Sequence, residues 1–328
     1  MINPTNRQLQ QARKVGNFIA DGWRYVLPGA WYRMRVPRIM ASLTDAELEE
    51  AHRRAAYLNR MEQCRPGEEW IRVADFRFPW RARHRHSGYF FPLNHVLRHF
   101  CRDYRFSYVF GDLTEEPSVP SFVKCRPVSG GHSNAVVMKL NAVRHFRFIN
   151  DPVPWESKSP RIVSRNYVYW PKRVRLLERW FGHQACDLGQ INAVPDHGHP
   201  EWLVPRMSLA EQLKFKFISC IEGNDVATNL KWVMSSNSLA VMPVPEYETW
   251  FMEGALRPGE HYVEVKPDYS DLLERMEYYL ERPTLAREIL DNAHEYVDRF
   301  RNPRMELAVS LLVAEKYFRL SGQMENFL

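Results

Sequence analysis

No stretch of this chain stays apolar for the roughly 20 residues that a bilayer-spanning helix needs, and the opening MINPTNRQLQQARK lacks the apolar centre of a secretory signal. A cytoplasmic chain is therefore expected. Cysteine is sparse: Cys64, Cys101, Cys125, Cys186 and Cys220 are odd in number and form no CxxC pair. That excludes a disulfide framework and reads as reduced thiols. Histidine and cysteine also lack the paired spacing of a structural zinc site. The runs Gly182–Asp187 and Asp196–His199 hold candidate ligands without that pattern. No GxGxxG follows a strand near the N-terminus, which argues against a dinucleotide-binding enzyme such as an epimerase. Internal repeats and low-complexity tracts are missing as well.

What remains is a globular composition. The 328 residues are 45% hydrophobic and 26% charged, enough for a substantial core and room for two domains. Aromatic residues make up 13%, most of them expected in ordinary packing. The net charge of +6 is concentrated at one end. Residues 1–44 carry Arg7, Arg13, Lys14, Arg24, Arg33, Arg35 and Arg38 against Asp21 alone, and the rest of the chain is neutral. Phe18, Ile19, Trp23, Tyr25, Val26, Leu27, Trp31 and Tyr32 interleave with these charges. Such a basic, aromatic arm suits an anionic membrane surface; it equally suits a first helix packed on the body with its arginines in water. The neutral remainder argues against nucleic acid as a partner, because that requires a broad cationic face.

Thr44 and Glu47 form a capping box ahead of a helix over 44–62. A second helix is expected near 92–102, and SYVFGD (107–112) reads as a strand ending at an acid. From about 158 the pattern alternates: strand 161–164, helix 171–181, a helix capped by Ser208 and Glu211, strand 215–221, helix 225–234 and strand 238–243. Next come helix 247–256, strand 261–266 and helices over 268–280, 284–301 and 303–320. Alternation of this kind builds a parallel sheet covered by helices, which binds ligands beyond the carboxyl ends of its strands. The expected organisation is a basic arm (1–44), an acceptor-side α/β domain (45–157) and a Rossmann-like domain (158–301), with the helix after 302 packed back on the second.

In FKFISCIEGNDVATNLKWVMSSNSLAVM (215–242), a strand leads through Gly223 and Asn224 into a helix carrying Lys231. A helix N-terminus after a small turn residue can receive an anion, although Gly223 is also an ordinary turn residue. The second turn, Ser235, Ser236, Asn237 and Ser238, is small and polar enough for close backbone contact.

The order EGNDVATNLKWVMSSNSLAVMP, then YETWFMEGALRPGEHYVEVKPDYSDLLE, resembles the C-terminal core of the CAP10-like glycosyltransferases, glycosyltransferase family 90. Within that family the chain is most similar to the bacterial lipopolysaccharide branch. PWESKSPRIVSRN (154–166) and FGDLTEEPSVPSFVKCRPV (110–128) are similar to two further family segments. The resemblance runs from about 107 to 300. It implies a GT-B-like α/β fold of two Rossmann-like domains, a UDP-sugar donor, no metal, and inversion at the anomeric carbon. It places Asp112 on the family's general base. A loop-capping role for Asp112, or Glu115 or Glu116 as the base, remains open.

Arg165 and Arg173 fall on arginines that hold the diphosphate, with surface ion pairs as the plainer alternative for each, and Glu248 falls on a glutamate that accepts from ribose hydroxyls. The donor site would also draw on Gly223, Asn224, Asn229, Lys231, Ser236, Asn237 and Ser238. His261 and Tyr262 are expected to pack rather than touch substrate. Asn229 stands where eukaryotic members have an arginine, and Asn166 where they have a glycine. The implied activity is transfer of a hexose, glucose favoured, to a lipopolysaccharide core or other surface glycan on a lipid-linked acceptor at the inner membrane. The alternatives are a catalytically inactive member and a basic protein that binds a nucleic-acid or membrane surface.

Overall fold

The computed structural model describes residues 29–78, 86–194 and 198–325. The expectations placed on residues 1–28 lie outside these, as do Asp196 and His197. The described strands are β1 (Ile71–Arg72), β2 (Arg105–Val109), β3 (Ser121–Val123), β4 (Cys125–Pro127), β5 (Ala135–Val137), β6 (Ser159–Asn166), β7 (Cys186–Gln190), β8 (Phe215–Ser219), β9 (Leu239–Met242), β10 (Tyr247–Thr249) and β11 (Val263–Glu264). The chain forms two compact units. The first comprises the residues up to Arg144, Tyr247–Met252, and everything from Phe300; the second comprises His145–Glu246 and Glu253–Arg299.

In the first unit β1, β2, β3 and β5 form one sheet, in which β1 is antiparallel to β2 while β2, β3 and β5 run parallel. SFV and AVV are buried at every position, as expected of parallel strands covered on both faces. The helix Pro303–Leu320 packs on the helix Asp45–Leu58. Its Tyr317 ring lies 4.4 Å from Phe122. The Tyr317 hydroxyl donates to Pro120 O (2.7 Å) and accepts from Ser107 N (3.1 Å), fastening the helix to β2 and to the entry of β3. The Thr44–Glu47 capping box forms as expected. The helix Gly29–Met40 buries Tyr32, Val36 and Met40 and leaves Arg33, Arg35 and Arg38 exposed.

The second unit is a five-stranded parallel sheet in the order β11-β9-β8-β6-β7. Numbered from β6, this is the doubly wound order 2-1-3-4-5, whose direction of winding reverses between β6 and β8. Helices Pro171–Trp180, Leu272–Leu280 and Pro283–Asp298 contribute Leu176, Leu177, Leu272, Met276, Ile289 and Leu290 to the core around Phe217 and Val241.

Three expectations require correction. The segment 247–256 is not a helix: Tyr247–Thr249 is β10, antiparallel to β4, and Glu253–Ala255 is a short 3-10 turn. Met252, at φ 56°, breaks any helical path between them. The helix after Gly223 starts at Leu230, not Asp225, and has only five residues. Finally, the helix near 92–102 runs instead from Ser87 to Leu97. Other elements shift by a few residues at their ends, with β6 extending over 159–166 and the strand from 107 ending at Val109.

Glu248 on β10 is fully buried and is held by Arg126 of β4 (Nε to Oε1, 2.7 Å) and by the Tyr57 hydroxyl (2.5 Å to Oε2). Arg126 also donates to the carbonyls of Tyr57, Leu58 and Ala135. Removing one member of such a pair leaves an uncompensated buried charge. Arg126→Met is expected to lower the unfolding free energy by about 3–5 kcal/mol in urea denaturation. The double change Arg126→Met with Glu248→Leu should recover most of that loss.

Candidate active site

Asp112 lies just beyond the carboxyl end of β2. Gly111 precedes it at φ 115°, a conformation that side-chain-bearing residues rarely adopt. Leu113 N donates to Cys125 Sγ (3.3 Å), so the backbone on the far side is also pinned. Lys124 follows β3 directly. Its ammonium meets Asp112 Oδ1 at 2.5 Å, with the lysine side chain 1% exposed and the aspartate 32% exposed. β2 and β3 are parallel, with Val109 opposite Val123, so both charged residues sit at carboxyl ends of parallel strands. Tyr89 of the helix Ser87–Leu97 feels both charges: burial raises its pKa, Lys124 opposes the rise and Asp112 adds to it. Glu116 is engaged elsewhere, accepting from Asn134 N at 2.7 Å, and Glu115 is exposed.

In the second unit the reversal point between β6 and β8 gathers another polar cluster. Arg173, in the helix that follows β6, reaches the loop that follows β8. Its Nε and Nη2 donate to Ile221 O (3.2 and 3.1 Å), and its Nη1 donates to Tyr167 O (2.8 Å). The Trp170 ring centre lies 5.4 Å from the guanidinium. A Cβ on Gly223 would stand 3.1 Å from Arg173 Nη2 and 3.3 Å from Trp170, so the glycine admits this close approach. Gly223 N donates to Asp225 O at 3.0 Å, and Asn224 lies within that turn. Lys172 pairs with Glu222 (2.6 Å) and Glu246 (2.8 Å). Burial depresses its pKa, but the two carboxylates outweigh burial and raise it.

The other residues expected at the donor site are distributed differently. Arg165 donates to Asp187 Oδ1 (2.6 Å) and to the carbonyls of Ser164, Asp187 and Pro205, which occupies most of its donor fork. Asn229 donates to Ser219 O (2.8 Å), tying down the end of β8. Lys231 is fully buried in an ion pair with Glu253. Ser236, Asn237 and Ser238 lie at the amino end of the sheet: Ser238 Oγ donates to Phe215 O (2.7 Å), Asn237 N to Asp151 Oδ2 (3.0 Å) and Ser236 Oγ to Val233 O (2.7 Å). The structure thus brings Arg173, Gly223, Asn224 and Asn229 together, with Arg165 on the same carboxyl edge. It places Ser236–Ser238 at the opposite edge and Glu248 in the first unit. Helix Leu230–Met234 has five residues and begins seven positions after Gly223, so the glycine turn does not open directly into a helix N-terminus. His261 and Tyr262 are buried, with His261 packed on Tyr296.

The sequence reading missed Lys124, although a lysine inside the buried run SFVKC was a visible signal. It also missed Lys172, which adjoins Arg173. Among the described residues, no three His, Cys, Asp or Glu side chains cluster so as to hold a metal ion. No described helix is long and apolar enough to cross a membrane.

A family model described as Glycosyl transferase family 90 matches residues 142–307. The O-glucosyltransferase LpsA of Dichelobacter nodosus is 38% identical over 320 residues, covering 95% of this chain and 97% of that protein. Uncharacterized protein 035R of Invertebrate iridescent virus 3 is 26% identical over 77% of this chain, which corresponds to 20% of its own length. Protein O-glucosyltransferase 3 of Homo sapiens is 28% identical over 112 residues, 34% of this chain and 22% of that protein. The breadth of the first match takes in both units, including the Asp112 segment that precedes the family model.

The two glycines should respond differently to substitution. Gly111→Ala forces a positive-φ backbone on a residue with a Cβ and is expected to cost about 1–3 kcal/mol in thermal unfolding. Gly223→Ala forces no positive φ and crowds only the Arg173 guanidinium and the Trp170 ring, so it is expected to cost less than Gly111→Ala in the same measurement.

Proposed function

The chain belongs to glycosyltransferase family 90 and is a glycosyltransferase; on that premise we propose that it transfers a hexose, glucose favoured, from a UDP-sugar to a lipopolysaccharide core or other surface glycan. In this GT-B-like reading the second unit holds the donor and the first supplies the base. The observation that carries the reading is that a half-exposed aspartate and an arginine-lined glycine turn each stand at the carboxyl ends of parallel strands.

The reaction is a single in-line displacement with inversion. Asp112 takes the proton from the acceptor hydroxyl, and the acceptor oxygen attacks the anomeric carbon. The bond from that carbon to the diphosphate breaks, and its electron pair leaves with UDP. Arg173 and the backbone of the Gly223 turn bear the charge that develops on the leaving group, a task that needs no metal. Arg165 braces the ends of β6 and β7 beside it. The name of the relative LpsA, an O-glucosyltransferase, supports glucose as the transferred sugar. The exposed Arg33, Arg35 and Arg38, in a helix whose first turn carries no acid, support contact with anionic lipid at the inner membrane, where a lipid-linked acceptor would lie.

The test supplies UDP-glucose, UDP-galactose or UDP-xylose with a lipopolysaccharide core oligosaccharide and measures UDP release. UDP-glucose should give the fastest transfer, the product should be inverted, and EDTA should have no effect. Asp112→Asn should lower kcat by roughly 10²–10⁴-fold. Loss of transfer in EDTA would remove the metal-free mechanism, and full activity of Asp112→Asn would remove Asp112 as the base.

A further inference from the structure

We propose that the first unit carries a lipid site: a cavity beside the helix Gly29–Met40 takes the acyl chain of an anionic phospholipid, and Arg35 at its mouth takes the phosphate. The inference rests on that helix being a membrane-facing element; it does not depend on the base or on the donor turn.

The cavity has a volume of about 1010 Å³. Protein interiors leave few voids larger than a water molecule, so an opening of this size is no packing defect. It matches the upper end of the roughly 300–1,000 Å³ range of small-molecule sites. Four elements of the first unit enclose it: the helix Gly29–Met40, the helix Ser87–Leu97, residues 138–143 after β5, and the first turns of the helix Pro303–Leu320. Ile39, Val96, Met138, Leu140 and Leu307 supply apolar wall. Ser310 on the same wall spends its hydroxyl on Glu306 O (2.7 Å). His99 is uncharged at neutral pH, because burial pushes its pKa down to about 4; its Nδ1 lies 3.0 Å from His95 O. Such a lining suits a hydrocarbon chain.

The charge of the lining has one sign in excess. Among the described residues it holds Arg35, Lys139 and Arg304 against Glu306. Lys139 is bound to Glu306 (2.7 Å), and Arg304 to Glu47 (2.6 Å) and Ser42 O (2.6 Å). Arg35 differs from both. It is exposed, its guanidinium stands 4.3 Å from the centre of the Trp31 ring, and it pairs with no carboxylate among the described residues. A guanidinium of this kind binds two oxygens of a phosphate at once.

The surface around the opening points the same way. The large hydrophobic side chains described as exposed in the first unit are Trp31 (38%), Met34 (73%) and Val143 (37%). Trp31 and Val143 line the cavity. Trp31, Met34, Arg35 and Arg38 follow one another at spacings of three and four residues, so they share one face of their helix. Exposed apolar groups interleaved with arginines around an apolar opening fit the headgroup layer of an anionic membrane. A two-fold pairing with a second copy of the chain would instead set these arginines against themselves.

The test is calorimetry of the full chain with lysophosphatidylglycerols of eight, ten and twelve carbons, each below the concentration at which it forms micelles. Affinity should rise about fourfold for each added methylene. Glycerol 3-phosphate alone should not bind, and the ten-carbon monoacylglycerol, which lacks the phosphate, should bind roughly 10-fold more weakly than its phosphorylated counterpart. Leu307→Trp places an indole in the cavity. It should weaken the twelve-carbon lipid by roughly 15-fold, the equivalent of two methylenes left in water. Affinity independent of chain length, or a Leu307→Trp chain that binds like the native one, would overturn the proposal. Self-association of the chain with no lipid uptake would overturn it as well and assign the face to a second copy.

Should Leu307→Trp fail to fold, Arg35→Glu on the exposed face supplies the readout: roughly 10-fold weaker binding of the twelve-carbon lipid. An affinity equal to that of the native chain would sink the phosphate contact. Sedimentation with phosphatidylglycerol vesicles separates the cavity from the membrane reading beneath it. Vesicle binding without uptake of single lipids would remove the cavity as a lipid site and leave the helix as a membrane-facing element, whereas absence of both would remove both.

Discussion

Two buried carboxylates, Glu248 and Glu306, determine how the first unit is assembled. Glu306 is ion-paired with Arg54 (2.6 Å) and accepts from Lys139 (2.7 Å) and Trp250 Nε1 (2.7 Å), and Glu248 accepts from Arg126 and Tyr57. These donors come from the helix Asp45–Leu58, from β4, from the stretch after β5 and from the excursion Tyr247–Met252. A buried charge is tolerated only where several hydrogen bonds replace its water. The six-residue excursion therefore enters the unit in a single register, with Glu248 facing Arg126 and Trp250 facing Glu306. An apolar substitute of equal volume would fill the space without fixing that register.

The excursion also explains the chain path in the second unit. β9 and β11 are parallel neighbours, and parallel neighbours require a long connection. Here that connection runs through residues 243–262 and includes β10. The reversal of winding lies elsewhere in the second sheet, between β6 and β8, and the polar residues collect there. At that point the loops diverge to opposite faces and leave backbone amides and carbonyls that need partners. Arg173 satisfies Ile221 O and Tyr167 O, one from each loop.

Legibility in the sequence followed the scale of the interaction. Capping boxes at Thr44–Glu47 and Ser208–Glu211 are local hydrogen-bond patterns, and both form. Apolar runs such as FKFIS and LAVM marked buried parallel strands. YETWFMEGAL failed because its segment is decided by partners distant in the chain: Glu248 needs Arg126, 122 residues away, and Trp250 lies beside Glu306, 56 residues away. DVATNLKWVM failed for a subtler reason. Asn229 uses its side chain to cap Ser219 O, and the turns before it bury Val226 and Ala227, so the helix is delayed to Leu230. The family resemblance supplied Arg173 and Asp112. The pairing of Asp112 with Lys124 is a tertiary contact across parallel strands, and no periodicity encodes it.

The two positions that depart from the eukaryotic pattern, Asn229 and Asn166, acquire a common meaning from the geometry. Asn166 Nδ2 donates to Ser164 Oγ (2.8 Å), and Ser219 Oγ in turn donates to Ser164 Oγ (3.2 Å). Asn229 closes the same region by binding the carbonyl of Ser219. A chain of neutral groups therefore links β6 to β8 beneath the reversal point. Neutral amides hold the strand ends together without adding charge, and the cations Lys172 and Arg173 stand above them on the following helix. Lys172 balances Glu222 and Glu246, while Arg173 lies against Gly223. Any anion at this edge would therefore meet its positive charge on the helix after β6 rather than on the segment after β8. This edge lacks the arginine that eukaryotic members carry at 229, and Arg173 still presents a guanidinium to the glycine turn.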